Sequence, residues 1–390
     1  MSENVDDSSI TNFNQLLHNL MEKGDDDVRA YTVEALGTIR SDMAIDDLIN
    51  SLSDKNELVR MKVTEILGDI NEKNAALKIA KQGLHDDKDL VRWMSAWALG
   101  KLRAEETMEE LVNSLDDENP WVRGTSAWAL GRIGNDVPVK KLKNLTKDDN
   151  TYTRIQAVRA LGMISDESST LNLLDALTDK NKNVRSSAAW SLGLIGDDRA
   201  IGDLKDKVLH DESDEVKENS IWALGSIGEK KVADFLMKII LNNDDFKIRK
   251  KASRSLSELL DGPIPAKFKE KLDDGLVKTK MRVLEFLGFL GGEESSDYLK
   301  SYIHDSNPEL RLTAIKSLEK LGSTIALKPL TNIVKNDNNL SIRETALNSL
   351  GKLNDKMSKI ALKQLKKELE DEKLKGLIDD ILENETPSSF

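Results

Sequence analysis

The chain has 390 residues, 39% of them apolar and 32% charged, with a formal net charge of −12 and no cysteine. That excludes disulfides, zinc–thiolate sites and cysteine nucleophiles, and it argues against nonspecific nucleic-acid binding, which needs clustered Lys and Arg. No apolar run approaches the roughly 18 residues of a membrane span, and the start of the chain carries acids rather than an apolar signal core, so a cytoplasmic protein is expected.

In chain order, residues 1–24 read as a polar, disordered start and an N-terminal capping helix over 9–23, with Leu16, Leu17 and Leu20 on its apolar stripe. A tandem pattern then begins. A basic residue recurs every 31 or 32 positions, at Arg29, Arg60, Arg92, Arg123, Arg154, Arg185, Lys217, Arg249, Lys280, Arg311 and Arg343. Eight positions after it stands Gly37, Gly68, Gly100, Gly131, Gly162, Gly193, Gly225, Gly288 or Gly351; only Ser257 and Glu319 break that column. Six positions before it, nine of the eleven units carry Asp: Asp54, Asp86, Asp117, Asp148, Asp179, Asp211, Asp274, Asp305 and Asp337.

Each unit reads as two helices. The first, the VR helix, starts after a cap such as Asn56, Asn119, Asn181, Ser213 or Asn307, whose side chain suits the free first-turn amides. Pro120 and Pro308 follow a cap directly, where a missing N–H costs nothing. Gly134, Gly196, Gly228, Gly291 and Gly322 mark C-terminal ends. The second helix carries apolar residues at helical spacing, as in Ile45, Leu48, Ile49 and Leu52, or Met108, Leu111, Val112 and Leu115. Repeat eight, near 245–275, is irregular, losing its Gly and gaining DGPIPA at 261–266, a distorted loop or bend. Residues 371–390 read as a C-terminal capping helix over 371–383 and a tail, NETPSSF.

The pattern D-x-x-x-x-V-R-x-x-A-x-x-A-L-G-x-I-G, clearest at 117–134 and 179–196, resembles the HEAT repeat family, in the short form found in phycobilisome bilin lyases and related proteins. The resemblance covers residues 25–370 and implies an all-α, right-handed α–α superhelix (an α-solenoid) of about eleven two-helix repeats. In that frame the Asp and Arg columns are scaffold: turn carboxylates pairing with the neighbouring repeat in a ladder. The Gly column lets helices approach closely.

A helical wheel at about 100° per residue puts positions −1, +3, +7 and +10 from the basic residue on the core arc, and −2, +1, +2, +5 and +9 opposite it. The resemblance implies that this opposite arc lines a concave inner face. All six tryptophans fall there: Trp93, Trp97, Trp121, Trp128, Trp190 and Trp222. Tyr152, Arg132, Arg159 and Lys101 share it, with Met94 and Met163 nearby, and repeats three to six place no acid on it. Trp and Arg dominate binding hot spots, so a partner-binding groove is expected at Trp93, Trp97, Trp121, Trp128, Arg132, Tyr152, Arg159, Trp190 and Trp222. The competing reading is that the tryptophans pack on one another. Repeats one and two offer Asp27, Glu34, Glu65 and Asp69 on the same arc, whereas repeats eight to ten offer a secondary basic patch of Lys247, Lys250, Lys251, Arg254, Lys278 and Arg282, continued by Lys316 and Lys320.

No nucleophile–base motif or phosphate loop is present, so the reading is a non-catalytic scaffold or adaptor that binds a protein partner, with no cofactor and no metal. The resemblance leaves an alternative: a bilin lyase or chaperone-like protein holding an anionic, flat tetrapyrrole in the same groove. A hydroxylase of the same repeat class holds iron through adjacent His–Glu pairs. Here His18 precedes Asn19, while His85, His210 and His304 each precede Asp in one repeat slot, too far apart for one metal.

Overall fold

The computed structural model describes residues 7–39, 42–134, 137–228, 230–260 and 262–383, and every regular element among them is helical. The polar start at 1–6 and the tail at 384–390 lie outside the described residues. The capping helices form at Asp7–Lys23 and Glu372–Glu383. Leu17 is buried in the first and Leu374 and Ile378 in the last, whereas Leu16 is exposed. Eleven VR helices lie between them, from Asp26–Ile39 to Leu340–Leu353, giving a helical solenoid of stacked repeats. The chain divides into two compact units, Met1–Ala223 and Leu224–Phe390, with the division inside the helix Asp214–Ile227.

Local chemistry places the helix ends. The Asn56, Asn119, Asn181 and Asn307 side chains each accept first-turn amides, and Pro120 and Pro308 occupy the first helical turn. At the other end the chain leaves with positive φ at Gly134, Gly196, Gly228, Gly291 and Gly322. Although ψ varies, at −77°, −160° and 171° for Gly134, Gly291 and Gly322, repeats with no glycine in this slot share the positive φ, at Asn71 (60°), Arg103 (51°), Ser165 (56°) and Asn354 (44°). Repeat eight alone among the described slots departs from it: Leu260 is extended (φ −93°, ψ 110°). The second helices are less regular, with a π turn at Ile79–Gly83 and 3-10 turns at Glu105–Thr107 and Ser114–Asp116.

The first unit is held by a repeated ion-pair rung. Arg29, Arg60, Arg92, Arg123, Arg154 and Arg185 each donate Nε to the turn Asp of the next repeat at 2.6–2.9 Å. The terminal Nη2 reaches the other oxygen of that carboxylate at 2.8–3.1 Å, making each pair bidentate. From Arg60 onward, Nη1 donates to the carbonyl of the preceding turn Asp, and the same carboxylates accept a backbone amide two residues on. One guanidinium thus ties two turns together. Hydrogen bonding to Asp86 and Asp117 raises the already high pKa of Arg60 and Arg92. Burial alone would push Asp86, Asp179 and Asp211 upward, but the arginine and amide hydrogen bonds win and hold them below the usual carboxylate value.

The glycine column creates the spacing between VR helices. A Cβ on Gly100, Gly131, Gly162 or Gly193 would stand 2.7–2.9 Å from the Cα of Ala129, Ala160, Ser191 or Ala223 on the next VR helix. A small residue therefore faces each of these four glycines, whereas Gly37 and Gly351 face Ile66 and Ile381.

In the second unit both devices are interrupted. Arg311 keeps its rung to Asp337 (3.0 Å), but Arg249 turns instead to Glu285 (3.2 Å) and Lys280 to the Asp273 carbonyl (3.1 Å). Where Ser257 replaces the glycine, the facing slot holds Phe286, fully buried with its ring centroid 4.8 Å from that of Phe268. Where Glu319 replaces it, the carboxylate accepts from Ser349 Oγ at 2.7 Å.

Candidate functional site

The glycine column also explains the recurring Trp at position +5. With no Cβ in the way, the Cζ3 edge of three of these indoles lies against the preceding repeat's glycine: 3.2 Å from the Cβ position at Gly68 for Trp97, 2.5 Å at Gly100 for Trp128 and 2.7 Å at Gly193 for Trp222. Trp93, Trp97, Trp128, Trp190 and Trp222 are all half-buried. The tryptophans pack, and they still present ring surface.

Cations decorate the rings one turn on. Lys101 Nζ lies 5.2 Å from the Trp97 centroid and Arg132 Cζ 5.2 Å from that of Trp128, within cation–π range. Arg132 is half-buried, and its Nε donates to the Gly100 carbonyl at 3.0 Å. It supports the indole rather than standing free for a carboxylate. Lys101 is 3.3 Å from Asp69. Arg159 is exposed and has no carboxylate within ion-pair distance among the described residues, with Nε 3.2 Å from Ser187 Oγ. Met94 is buried in the core, not on the face.

Trp128, Arg159, Met163 and Trp190 converge on a cavity of about 370 Å³, completed by Ser186, Ser187, Asn219 and Glu215. These last four occupy the −2, +1 and +2 slots of repeats six and seven, so the repeat register could have found them. Asn219 Nδ2 donates to Ser186 Oγ at 2.8 Å, fixing that wall. Trp121 and Tyr152 form a separate pair, centroids 4.4 Å apart, with Tyr152 Oη 3.0 Å from Thr125 Oγ1. Trp121 is 53% exposed, well above the other tryptophans. Trp93, Trp97 and Trp222 do not line the cavity.

A family model for HEAT repeats matches residues 13–91, 77–150, 139–216, 203–276, 264–351 and 297–376, which together take in almost the whole chain. The chain belongs to the HEAT repeat family. Among solved structures it is similar to YibA of Escherichia coli, at 22% identity over 64% of this chain and 95% of that one, with a TM-score of 0.47. It is similar also to the CpcE–CpcF complex of phycocyanin lyase from Nostoc (18% identity, 63% and 94% covered, TM-score 0.38). Human deoxyhypusine hydroxylase is a third (18%, 65% and 97%, TM-score 0.31). A search of curated proteins finds no match.

The remaining chemistry-bearing groups of this HEAT protein stand apart from the aromatic cavity. His18 Nδ1 is 2.8 Å from Asp47, whose hydrogen bond raises the imidazole pKa, and His210 is 2.8 Å from Asp206. Among the described residues no three His, Asp or Glu side chains are arranged to hold a metal ion, and no helix is long and apolar enough to cross a membrane.

The basic patch is split by the structure. Lys247, Lys250 and Arg254 are exposed and Lys251 half-buried along one helix. Lys278 is engaged with Asp244 at 2.7 Å. Arg282 is a correction to the sequence reading: it is buried, donating to the Leu241 carbonyl at 2.5 Å and to Asp244 at 2.6 Å. Its place on the wheel is right, but an acid from the preceding turn reaches over it.

Proposed function

We propose that the protein is a non-catalytic adaptor that seats a segment of a partner protein on the aromatic face of its first unit. The observation that carries this reading is the cavity between Trp128 and Trp190, floored by Met163 and flanked by the exposed Arg159. An apolar anchor side chain would enter between the indoles, losing water on both faces. A neighbouring carboxylate on the partner would pair with Arg159, while Ser187 and Asn219 offer polar contacts. Trp121 with Tyr152 extends the same face as an exposed aromatic platform. Trp93, Trp97 and Trp222 support or lengthen the surface, and Arg132 holds Trp128 in place.

The test is a pull-down comparing the full chain with Trp128→Ser/Trp190→Ser and, separately, with Arg159→Glu, an exposed position that leaves packing intact. Hits are then purified and titrated. Loss of one partner with both variants, at unchanged circular dichroism, supports the reading. Equal recovery from all three proteins sinks it. Visible absorbance copurifying with the wild type and lost with the variants would favour the alternative, an anionic tetrapyrrole-type ligand held in the same place.

A further inference from the structure

The second unit carries a face of different chemistry. Lys247, Lys250, Lys251, Arg254, Lys316 and Lys320 have no carboxylate within 4.0 Å among the described residues, in a protein whose net charge is −12. Other cations of the second unit are paired: Arg249 with Glu285, Lys352 with Glu319, Lys373 with Glu344. Two of the unpaired cations, Lys316 and Lys320, reach two hollows on this face, together with the paired Lys352. One, of about 450 Å³, is lined by Phe246, Met281, Leu312, Lys316, Lys320 and Lys352; the other, of about 570 Å³, shares Lys316 and Lys352. Phe246 is 49% exposed, so apolar surface lies open among the charges. Lys320 Nζ sits 4.0 Å from the Phe289 centroid. Desolvation, with the Lys250 and Arg254 charges adding to it, holds that ammonium below its ordinary pKa, against the pull of Glu285 and Glu319. Lys250, Arg254 and Lys320 are therefore close enough to repel one another. A ligand of opposite charge would relieve that repulsion.

We propose that this face docks an acidic protein segment in which carboxylates alternate with apolar residues. Charge complementarity selects an anionic occupant. Phe246, Met281 and Leu312 select one that also carries apolar side chains. The carboxylates of Glu285, Glu309 and Glu319, which line the first hollow, select against a nucleic acid. A phosphodiester chain brings a charge at every step and would meet those acids, whereas a peptide places its carboxylates only where cations stand. The face is independent of the tryptophan cavity, so the two readings can fail separately.

The experiment titrates the full chain with a fluorescent twelve-residue peptide alternating Glu with Leu and Phe, beside a lysine-substituted control and a single-stranded oligouridine of equal length. The expected result is saturable binding of the acidic peptide that weakens with salt. It should weaken by about tenfold or more in the variant Lys250→Gln/Arg254→Gln/Lys316→Gln/Lys320→Gln. Trp128→Ser/Trp190→Ser should leave it unchanged. These four cations are exposed, so circular dichroism should match wild type; Lys316→Glu alone serves as a second, milder variant. Three results would overturn the proposal: no saturable peptide binding below about 100 µM, equal binding by wild type and variants, or tighter binding of the oligouridine.

Discussion

The first unit repeats one solution six times; the second repeats it imperfectly and gains different surfaces. From Arg29 to Arg185 every rung is bidentate and the glycines face Ala or Ser from Gly68 onward, so the VR helices close on one another at a common spacing. That regular approach leaves indoles leaning on glycines and a ring-lined cavity. In the second unit Arg249 and Lys280 leave the ladder, Phe286 fills a slot meant for a small residue, and Asp244 captures Lys278 and Arg282. The lesson is that one motif column serves two ends. Kept, it stabilises the stack; broken, it frees side chains for other contacts.

The sharpest way to break this comparison is at the most buried rung. Arg185 and Asp211 have side-chain exposures of 9% and 3%. Asp211→Ala strands the guanidinium and should cost about 3–5 kcal/mol, measured as a fall in the denaturation midpoint of the first unit. Lys278→Ala, which removes an exposed pair of the second unit, should cost at most about 1 kcal/mol. Equal costs would mean the rungs are ornamental.

Next comes the glycine column. Gly131→Ala puts a Cβ 2.7 Å from the Ala160 Cα and should destabilise by about 1–3 kcal/mol. Gly376→Ala, in a helix with open space around it, should stabilise by up to about 1 kcal/mol. Calorimetry on the two variants checks the opposite signs.

Acid should act on the ladder. Asp86, Asp179 and Asp211 have pKa values below those of the unfolded chain, so their stabilisation is complete above about pH 4. It is lost as pH falls through the depressed folded-state values. Hydrogen exchange between pH 6 and pH 2.5 should therefore show the VR helices from Glu57–Asp69 to Asp214–Ile227 losing protection before Leu340–Leu353. The reverse order would count against the ladder as the acid-sensitive element.

The smallest effect is at the helix ends. Ser165 holds φ 56° where other repeats use glycine. Ser165→Gly should gain up to about 1 kcal/mol, whereas Gly196→Ser should lose a similar amount; matching thermal shifts of opposite sign would confirm that the slot demands a left-handed backbone.

Much of this was legible in the residues. The spacing of Arg29 to Arg343 determined the repeat, and Asn119–Pro120 and Gly134 determined where one of its helices begins and ends. The rungs were legible too, because a bidentate Arg–Asp pair needs only a constant offset between two columns. What the wheel could not supply was reach. It placed Arg132 and Arg282 on an outward arc but not the Gly100 carbonyl or Asp244 that engage them. It grouped nine residues as one groove, whereas only Trp128, Arg159 and Trp190 of them line the cavity, with Ser186 and Ser187 from the helix of Trp190 and Glu215 and Asn219 from the next repeat. The sequence named five glycines as helix stops, and Asn71, Arg103, Ser165 and Asn354 take a positive φ in the same slot of other repeats. Periodicity is a property of the chain and survives in the sequence. Which side chain is free, and which is already spent on a neighbour, depends on distances of a few ångströms between repeats, and only the tertiary structure decides those.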